Sequence, residues 1–416
     1  MKKNALEKVM LSCFIAGFSS VSPADLLKDS KASLYLRNMY MNRDFRQEGG
    51  RTSPREWAQG FTLRFESGFT EGPIGFGLDV MAQLGVKLDS SQEHSGTGLL
   101  PADGRGRPED EFGELGLTAK LRASKTVLRL GTLQPQLPVI AYNDVRLLSS
   151  TYTGGLLTSQ EIDGLTLNFG RLEEINLRDS SSNDDMNYSG VESKYLELAG
   201  GSYSFTPRLT ASYYYARMKD IYQQNFFGLV HDLPLGDGVS LRSDLRYFNS
   251  KGDGEDRLRS ASRVDRGRID NHFFNGTWTL TVKAHKFGAG YQRLSGDGDF
   301  PFPGLDPYST NLSMYNPFTK AETDAWQLRY DYDFSTLGIP GLTFSNKHVK
   351  AHNVKTAAVD NAREWERNTD LAYVIQSGPL KGVNFRLRNA SFRASNGLKT
   401  QVDETRIIIG YNLSLW

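Results

Sequence analysis

Long stretches of this chain alternate between apolar and polar or small residues, and a period of two restricts them to extended strands with two unlike faces. The first clear example has on one face the apolar residues Trp57, Phe61, Leu63, Phe65 and Phe69. A second example runs from Ile74 to Lys87, with charged and amide residues on its polar face. Such long two-faced strands are typical of a wall between lipid and water, since strands of soluble sandwiches are usually about five or six residues long.

The same alternation recurs along the rest of the chain and predicts about 18 antiparallel strands, an even number as expected for a single-chain bacterial barrel. Short turns with Gly, Pro or Asp, such as 206–208 and 236–238, connect some strands. Long polar stretches connect others, near 89–110, 134–153, 179–193, 251–268, 295–322 and 394–402. Short turns at one rim and long loops at the other are the rule for outer-membrane barrels. One junction departs from it, because the strands near 209–221 and 222–234 leave almost no room for a loop.

The first 24 residues have the order of a secretory signal peptide. Three lysines accompany a short apolar run at 9–18, and the small residues at 22–24 match the positions that a signal peptidase reads. We therefore predict that residues 1–24 are removed on export and that residues 25–416 form the barrel. Two other interpretations stay open: an amphipathic helix at the N-terminus of the mature protein, and a lipoprotein modified at Cys13.

The remaining composition excludes several classes of protein. Cys13 is the only cysteine, so the exported chain forms no disulfide and no thiolate metal site. The leader carries three Lys and one Glu, so its removal takes the formal net charge from +1 to −1, and a nucleic-acid binder would need a strong basic excess. No apolar run of about 18 residues follows the leader, as a transmembrane helix would require. The 41 Gly, 23 Phe and 19 Tyr, with a terminal Trp416, are typical of an outer-membrane barrel.

The function of a channel depends on the side chains that face its lumen, and alternation identifies that face. It places six arginines in the lumen: Arg37, Arg64, Arg129, Arg386, Arg388 and Arg406. Because the last strand of a closed barrel pairs with the first, most of them share one wall, and we expect a basic ladder that guides anions. Arginine suits this role, since its planar fork binds a carboxylate through two hydrogen bonds and keeps its charge.

A second interpretation of these arginines is structural. They would then pair with lumenal acids and stiffen the wall, and alternation places inside the barrel the acids Glu66, Asp79, Asp331 and Asp333. Both interpretations are compatible with the sequence.

Two loops are expected to fold inward and constrict the lumen. The loop 134–153 is apolar and proline-stiffened for a surface loop, and its Asp144 and Arg146 would then line the narrow point. The loop 295–322 carries several aromatic residues among four prolines, and we expect its Asp306 and Tyr308 to shape a substrate funnel. The alternative is that both are ordinary outer loops that pack on themselves.

Catalysis finds little support in the sequence. The six histidines are scattered, and the chain has no HExxH, no GxSxG and no phosphate-binding glycine loop. His348 and His352 are four residues apart, which on a strand separates them by well over about 10 Å, so they make no metal pair. We expect no metal, no cofactor and no enzyme activity. Two alternatives of other classes are a barrel-embedded hydrolase and a structural or adhesive barrel with a plugged lumen.

Several long segments are similar to one known family. They include LRNMYMNRDF (36–45), VLRLGTLQPQLPV (127–139), DYDFSTLGIPGLTF (331–344) and FRLRNASFR (385–393). Through these and further segments, nearly the whole chain after the leader resembles the OprD-type carboxylate-selective channels of pseudomonads.

This resemblance implies an 18-stranded barrel whose lumen is narrowed by inward-folded loops, in the outer membrane of a Gram-negative bacterium. The ladder positions of such channels fall on Arg37, Arg129, Arg386, Arg388 and Arg406, with Arg64 beside them. The substrates that the resemblance implies are small carboxylates, either basic amino acids or organic acids. We favour aromatic or other organic monocarboxylates, because the inferred constriction offers few acids to hold a cationic group; a basic amino-acid or peptide channel is the alternative.

The implied partners follow from the same setting. We expect contacts with outer-membrane lipid and lipopolysaccharide, and with the barrel-assembly machinery during biogenesis. No nucleic-acid partner is expected. The resemblance also implies a monomer or a loosely associated trimer.

Overall fold

A computed structural model describes residues 27, 29–46, 53–255, 268–304, 306–395 and 397–416. The predicted signal peptide, residues 1–24, lies outside the described residues. The described chain is dominated by strands, with a single turn of 3-10 helix at Phe334–Leu337. No helix among these residues is long and apolar enough to cross a bilayer.

Eighteen strands form one closed antiparallel barrel, which confirms the predicted fold. In chain order they are β1 (Lys31–Phe45), β2 (Arg55–Glu66), β3 (Ile74–Asp89), β4 (Glu111–Ala123), β5 (Thr126–Leu133), β6 (Thr151–Ser159), β7 (Leu165–Asn176), β8 (Leu196–Thr206), β9 (Leu209–Met218), β10 (Tyr222–Gly236), β11 (Val239–Gly252), β12 (Asp270–Val282), β13 (His285–Asp297), β14 (Asp324–Asp333), β15 (Leu342–Val354), β16 (Ala362–Val374), β17 (Asn384–Ala394) and β18 (Val402–Ser414). Each strand pairs with the next, and β18 pairs with β1 from Ser414 opposite Ser33 to Val402 opposite Phe45. Closure leaves no unpaired sheet edge, which is the condition for backbone to cross lipid.

Two short hairpins lie in the connections of the outer rim, and the second continues the barrel sheet, because its residues 183–185 pair with 174–176 of β7. One pairs Gln136–Leu137 with Ile140–Ala141 and belongs to the loop between β5 and β6. The other pairs Asn183–Tyr188 with Val191–Ser193 in the loop between β7 and β8. Neither hairpin was predicted, because strands of two to six residues are too short to show a period.

The alternation of the sequence corresponds to the two faces of the wall. On β4, the outward Leu115 and Leu117 are exposed, whereas Lys120 on the opposite face is buried inside the barrel. The outward leucines would cost free energy in water but are stable against acyl chains, and the lumenal lysine is solvated or paired. The outward face of the strand is therefore suited to acyl chains and its inward face to water.

Short turns and long loops lie at opposite rims, as predicted. The rim that carries both chain ends has connections as short as the two residues 124–125 between β4 and β5 and 207–208 between β8 and β9. The opposite rim carries long connections such as 90–110 and 298–323. We call these the terminal rim and the outer rim.

The short junction at the outer rim has a structural explanation. Only residues 219–221 connect β9 to β10, and Asp220 adopts a positive φ of 60° to close this turn. The next outer loop covers it, because the Asp253 carboxylate accepts hydrogen bonds from Arg217 Nε and from the backbone N–H of Asp220, both at 3.0 Å. A neighbouring loop thus replaces the missing one.

One detail of the predicted alternation is wrong. The alternation predicts Phe69 on the lipid face, but β2 ends at Glu66 and the following turn folds into the barrel. There the Phe69 ring lies 4.4 Å from the Arg122 guanidinium carbon and 4.9 Å from Lys120 Nζ, both on the lumenal face of β4. An attraction between cations and the ring face holds the turn inside, which a two-residue period cannot show.

The lumen is partly filled by apolar clusters from the inward-folded loops. In the largest, the Phe300 ring from the loop 298–323 lies 4.3 Å from Phe273 and 4.9 Å from Phe248, between centroids. A second cluster packs Leu147 and Leu99, from two other loops, against lumenal methionines of β1. These clusters confirm that the two predicted loops enter the barrel instead of packing on its outer surface.

Candidate functional site: a cationic lumen

The first inward loop, residues 134–150, is attached to the barrel wall by a side-chain amide that pairs with the N–H and the C=O of one loop residue. The Gln83 side chain on β3 accepts a hydrogen bond from the backbone N–H of Ser149 at 3.1 Å and donates one to its carbonyl at 2.9 Å. Both groups are buried, so each bond satisfies a polar backbone atom that would otherwise be unpaired. This double contact holds the end of the loop that leads into β6 against β3.

The second inward loop, residues 298–323, is tied to the wall by a carboxylate. Glu366 on β16 is fully buried and accepts hydrogen bonds from the backbone N–H groups of Tyr315 and Asn316, at 3.0 and 2.8 Å. Asn368, two residues along the same face, accepts one from the backbone N–H of Met314 at 3.2 Å. A strand with a lumenal Glu and Asn therefore holds three consecutive residues of the loop.

The two loop tips meet at Arg406 of β18. Its guanidinium donates to the carbonyl of Val145 in the first loop at 3.3 Å and to that of Met314 in the second at 2.9 Å. The same side chain pairs with Glu404, and Glu404 also accepts from Arg43 Nε at 2.7 Å. Arg406 is 1% exposed, so it links wall and loops more than it offers a free charge.

Further charged groups surround this junction. Arg146 of the first loop is buried close to Arg406, and Arg178 donates to Asn143 Oδ1 at 2.9 Å. Asn143 in turn donates to the Asp306 carboxylate of the second loop. Burial raises the pKa of Asp306 above its ordinary value, although the nearby Arg178 and Arg146 favour its charged form. Cations outnumber carboxylates at the junction.

A cavity of about 1350 Å³ adjoins the junction and extends to residues of the terminal rim. Its lining contains the basic residues Arg43, Arg146, Arg178, Lys283, Lys286, Arg329, Lys347, Arg386, Arg388 and Arg406. It contains the acidic residues Asp306, Asp331, Asp333 and Asp370. Ten basic against four acidic side chains make this an anion-attracting space, because low-dielectric walls concentrate the field in the water between them.

Pairs of arginines share single carboxylates along the cavity. Arg386 and Arg388 on β17 both bind Asp370 of β16, each through Nε at 2.9 Å. Arg43 and Arg406 share Glu404 in the same manner. Each group of three keeps a net positive charge, so the wall is both paired and cationic. Neither of the two interpretations of the arginines describes this arrangement alone.

The predicted ladder residues fall into two groups. Arg386, Arg388 and Arg406 line the cavity, whereas Arg37, Arg64 and Arg129 are absent from its lining. Arg37 forms an ion pair with Asp144 at 2.8 Å, and Arg64 donates to Gln134 Oε1 at 2.9 Å. Both partners belong to the first inward loop. These two arginines therefore attach that loop to β1 and β2, away from the cavity.

Arg129 and Tyr308 lie elsewhere. Arg129 is opposite Lys120 in the register of β4 and β5. Tyr308 packs against Phe226 of the wall at 5.8 Å, and Arg246 stacks on its ring at 3.9 Å. Of the four loop residues expected at the constriction, Arg146 and Asp306 line the cavity, while Asp144 and Tyr308 do not.

Several residues of the site were not predicted. Arg43 shares the lumenal face of β1 with Arg37, Glu404 precedes Arg406 by two residues, and Lys347 lies on the lumenal face of β15. Arg43 and Glu404 could have been found from the sequence, because each lies an even number of residues from a predicted lumenal arginine on the same strand. Arg178 lies in an irregular loop, where no period exists to indicate it.

The comparisons with known proteins agree with this geometry. The model of a family described as outer membrane porin, OprD family, matches residues 24–415. The chain belongs to the OprD family. Such porins are passive channels of the bacterial outer membrane and not enzymes, which sets aside the barrel-embedded hydrolase.

Individual relatives cover nearly the whole porin. It is 37% identical over 393 residues to the Porin-like protein GalP of Pseudomonas putida, which spans 93% of this chain and 92% of that protein. The crystal structure of Pseudomonas aeruginosa OccK9 (OpdG) superimposes with a TM-score of 0.90 at 41% identity, over 94% of this chain and all of that one. The structure of Pseudomonas aeruginosa OpdK with vanillate gives a TM-score of 0.87 at 36% identity, with the same coverage.

Proposed function

We propose that this porin mediates passive uptake of small carboxylates across the outer membrane, along the arginine-rich wall of its lumen. The observation that carries the proposal is the imbalance of ten basic to four acidic side chains around the 1350 Å³ cavity. Anions are attracted to such a space, and their local concentration rises there. A cation of the same size meets a repulsive field.

The paired arrangement of the arginines supports movement of a carboxylate instead of tight binding. At Asp370, two guanidinium groups already share one acid. A passing carboxylate can therefore accept hydrogen bonds from their remaining N–H groups, but it does not meet an unpaired cation that would bind it tightly. Several weak sites in series let a solute enter and also leave. In this proposal Arg386 and Arg388 contact the solute, and the buried Arg406 adds its positive charge and holds the loop tips together. Arg37 and Arg64 hold the first inward loop, and Arg129 lies on β5, the strand that precedes that loop.

Within this class we favour aromatic and other organic monocarboxylates. The junction offers Asp306 as its one loop carboxylate, and this acid is already engaged by Asn143. A basic amino acid would need a free carboxylate for its cationic end. The similar structure with vanillate, which is an aromatic monocarboxylate, supports the same choice.

The proposal includes a route to the membrane. Residues 1–24 would be removed on export, residues 25–416 would be folded by the barrel-assembly machinery, and the porin would act as a monomer or loose trimer. Mass measurement of the protein purified from outer membranes tests the cleavage site directly.

Liposome swelling tests the substrate class. Purified porin is reconstituted, and the entry rates of benzoate, a short aliphatic acid, arginine and an uncharged sugar of similar size are compared. Faster entry of the two acids is expected. Preference for arginine would assign the protein to the basic amino-acid channels, and equal rates for all four would leave the basic wall without a selective role. No swelling or bilayer current at all would indicate a plugged barrel.

A pair of variants tests the wall itself. Replacing Arg386 and Arg388 together by Ala should lower benzoate entry by about tenfold, since two charge-assisted partners are lost. Asp370→Asn at the same place should act in the opposite direction, because it releases both arginines from their shared acid. Both variants should keep the heat-modifiable gel mobility of a folded barrel. Equal benzoate rates in all three proteins would contradict the proposal.

A further inference from the structure

The outward face of β15, β16 and β17 carries an ordered grid of polar side chains. In the register of these strands, Lys350, Trp365 and Arg393 form one row across the sheet. His348, Arg367 and Ser391 form the next row towards the terminal rim, and Asn346, Thr369 and Asn389 form a third. Successive rows are roughly 6.6 Å apart, because every second residue of a strand faces the same side.

Below these rows the same strands become apolar. The fourth row is Phe344, Leu371 and Leu387, and the fifth is Leu342, Tyr373 and Phe385. From the outer rim downwards, the face therefore changes from basic to amide and hydroxyl groups and then to hydrocarbon. We call these five rows the graded face.

Two of the three cations of the graded face, Arg367 and Lys350, differ from the outward arginines Arg171 and Arg217. Arg171 on β7 pairs with Glu173 at 3.0 Å and with Glu197 at 3.5 Å, and Arg217 on β9 pairs with Asp253 at 3.0 Å. Arg367 is exposed and donates only one long bond, of 3.4 Å, to Ser391 Oγ. In the part of the chain that the structure describes, neither Arg367 nor Lys350 has a carboxylate within ion-pair distance.

The centre of the cationic rows is held by ring and ion-pair contacts. The centroid of the Trp365 ring lies 5.5 Å from that of His348. The Arg393 guanidinium carbon lies 5.9 Å from the same Trp365 centroid. Arg393 is held by a two-bond contact with Asp403, at 3.0 Å for each bond. Tryptophan at this level is typical of the boundary between acyl chains and headgroups. The free cations thus lie where lipid headgroups begin in the outer leaflet.

We propose that the graded face binds a phosphorylated glycolipid of the outer leaflet, with its phosphates at Arg367 and Lys350. Guanidinium and ammonium groups are the usual protein partners of phosphate. The amide and hydroxyl row matches the sugar hydroxyls of such a lipid, and the apolar rows match its acyl chains. A zwitterionic phospholipid carries its own cation beside the phosphate and fits this face less well.

Native mass spectrometry of the detergent-solubilised porin tests the proposal. The probes are bis-phosphorylated lipid A and the same lipid A after enzymatic removal of its phosphates. The test variant is Lys350→Gln with Arg367→Gln, and the matched control is Arg171→Gln, an outward cation on another part of the barrel wall. Heat-modifiable gel mobility and channel conductance show whether each variant is folded.

The double variant should retain bis-phosphorylated lipid A on the order of thirtyfold less than the wild type, which corresponds to two surface charges. The wild type should bind the dephosphorylated lipid as weakly as the double variant does, and Arg171→Gln should bind like the wild type. Equal retention by wild type and double variant would overturn the proposal. So would a change of oligomeric state with unaltered lipid binding, because the graded face would then be a contact between copies of this chain.

Discussion

The two sides of the lumen differ sharply in chemistry. One side, formed mainly by β6 to β13, is covered by an apolar cluster in which the Phe300 ring packs against Phe248 and Phe273. The other side, formed mainly by β1 and β14 to β18, carries the paired arginines and most of the cavity lining. The same second inward loop contributes Phe300 to the first side and the carbonyl of Met314 to the other.

The difference shows how a barrel of this width can have a narrow, defined channel. Apolar packing holds the bases of the inward loops against one wall, where burial supplies most of the stabilisation. Hydrogen bonds and ion pairs then fix the loop tips at the opposite wall, where charge is needed. We expect changes on the apolar side to alter stability and pore size, and changes on the charged side to alter selectivity.

The largest effect on this comparison is expected from Phe300→Ala. Phe300 is fully buried, and removing its ring leaves a cavity that should cost about 3–5 kcal/mol of local packing free energy. The second inward loop should then detach, so single-channel conductance should rise and its noise increase. The half-buried Phe302→Ala is the matched control and should change conductance less. Unchanged conductance in Phe300→Ala would show that the cluster does not hold the loop.

A smaller effect is expected from Glu404→Gln on the charged side. The substitution keeps the side-chain shape but removes the carboxylate shared by Arg43 and Arg406, and buried hydrogen bonds to a charged group contribute about 1.5–3 kcal/mol. Denaturant unfolding in detergent should report the loss. Asp331→Asn, whose partner Arg329 is half-exposed, should lose less than about 1 kcal/mol. Equal losses would mean that burial does not distinguish the two pairs.

The pH dependence of selectivity gives a finer test. Because the pKa of Asp306 is raised by burial, this acid takes up its proton at a higher pH than an exposed aspartate does. Lowering the pH from about 7 to about 4 should therefore neutralise Asp306 to a greater extent than an exposed aspartate, which reduces the negative charge at the junction and raises the chloride-to-potassium permeability ratio. In Asp306→Asn the ratio should start higher and change less, as measured from reversal potentials. Asp103→Asn, in an exposed outer loop, should titrate like the wild type.

The smallest effect is expected from Asp144→Asn. Its ion pair with Arg37 is half-exposed at the carboxylate, so its loss should cost less than about 1 kcal/mol. The tip of the first inward loop should still move more, which would appear as added current noise at unaltered mean conductance. Asp163→Asn, at an exposed pair with Lys125 in a terminal-rim turn, is the control. Equal noise in both variants would mean that other contacts hold this tip.

Much of the barrel could be predicted because its information is local. Each strand repeats every two residues, and one register assigns every side chain to lipid or lumen, as it did for Arg386 and Arg388. Phe69 shows where this reasoning ends: the period continued in the sequence, but the chain left the sheet at Glu66 and turned inward. A period describes a strand only as far as its hydrogen-bonded neighbour extends.

The charged site depended on contacts that no local pattern contains. Alternation placed Arg37 and Arg406 in the lumen, yet their partners, Asp144 and the carbonyls of Val145 and Met314, come from loops distant in sequence. Glu366 and Gln83 were equally unremarkable residues on strands until a loop lay against them. Those contacts divided the predicted ladder into residues that line the cavity and residues that hold a loop.

By itself the sequence determined the barrel, its number of strands, its orientation between lipid and water, and which arginines face inward. These properties follow from side-chain period and turn chemistry, which act between near neighbours. The tertiary structure alone decided how the loops fill the lumen, which carboxylate each arginine shares, and where free cations remain on the outward face. Those properties depend on distances between residues far apart in the chain, and closure of the barrel sets these distances.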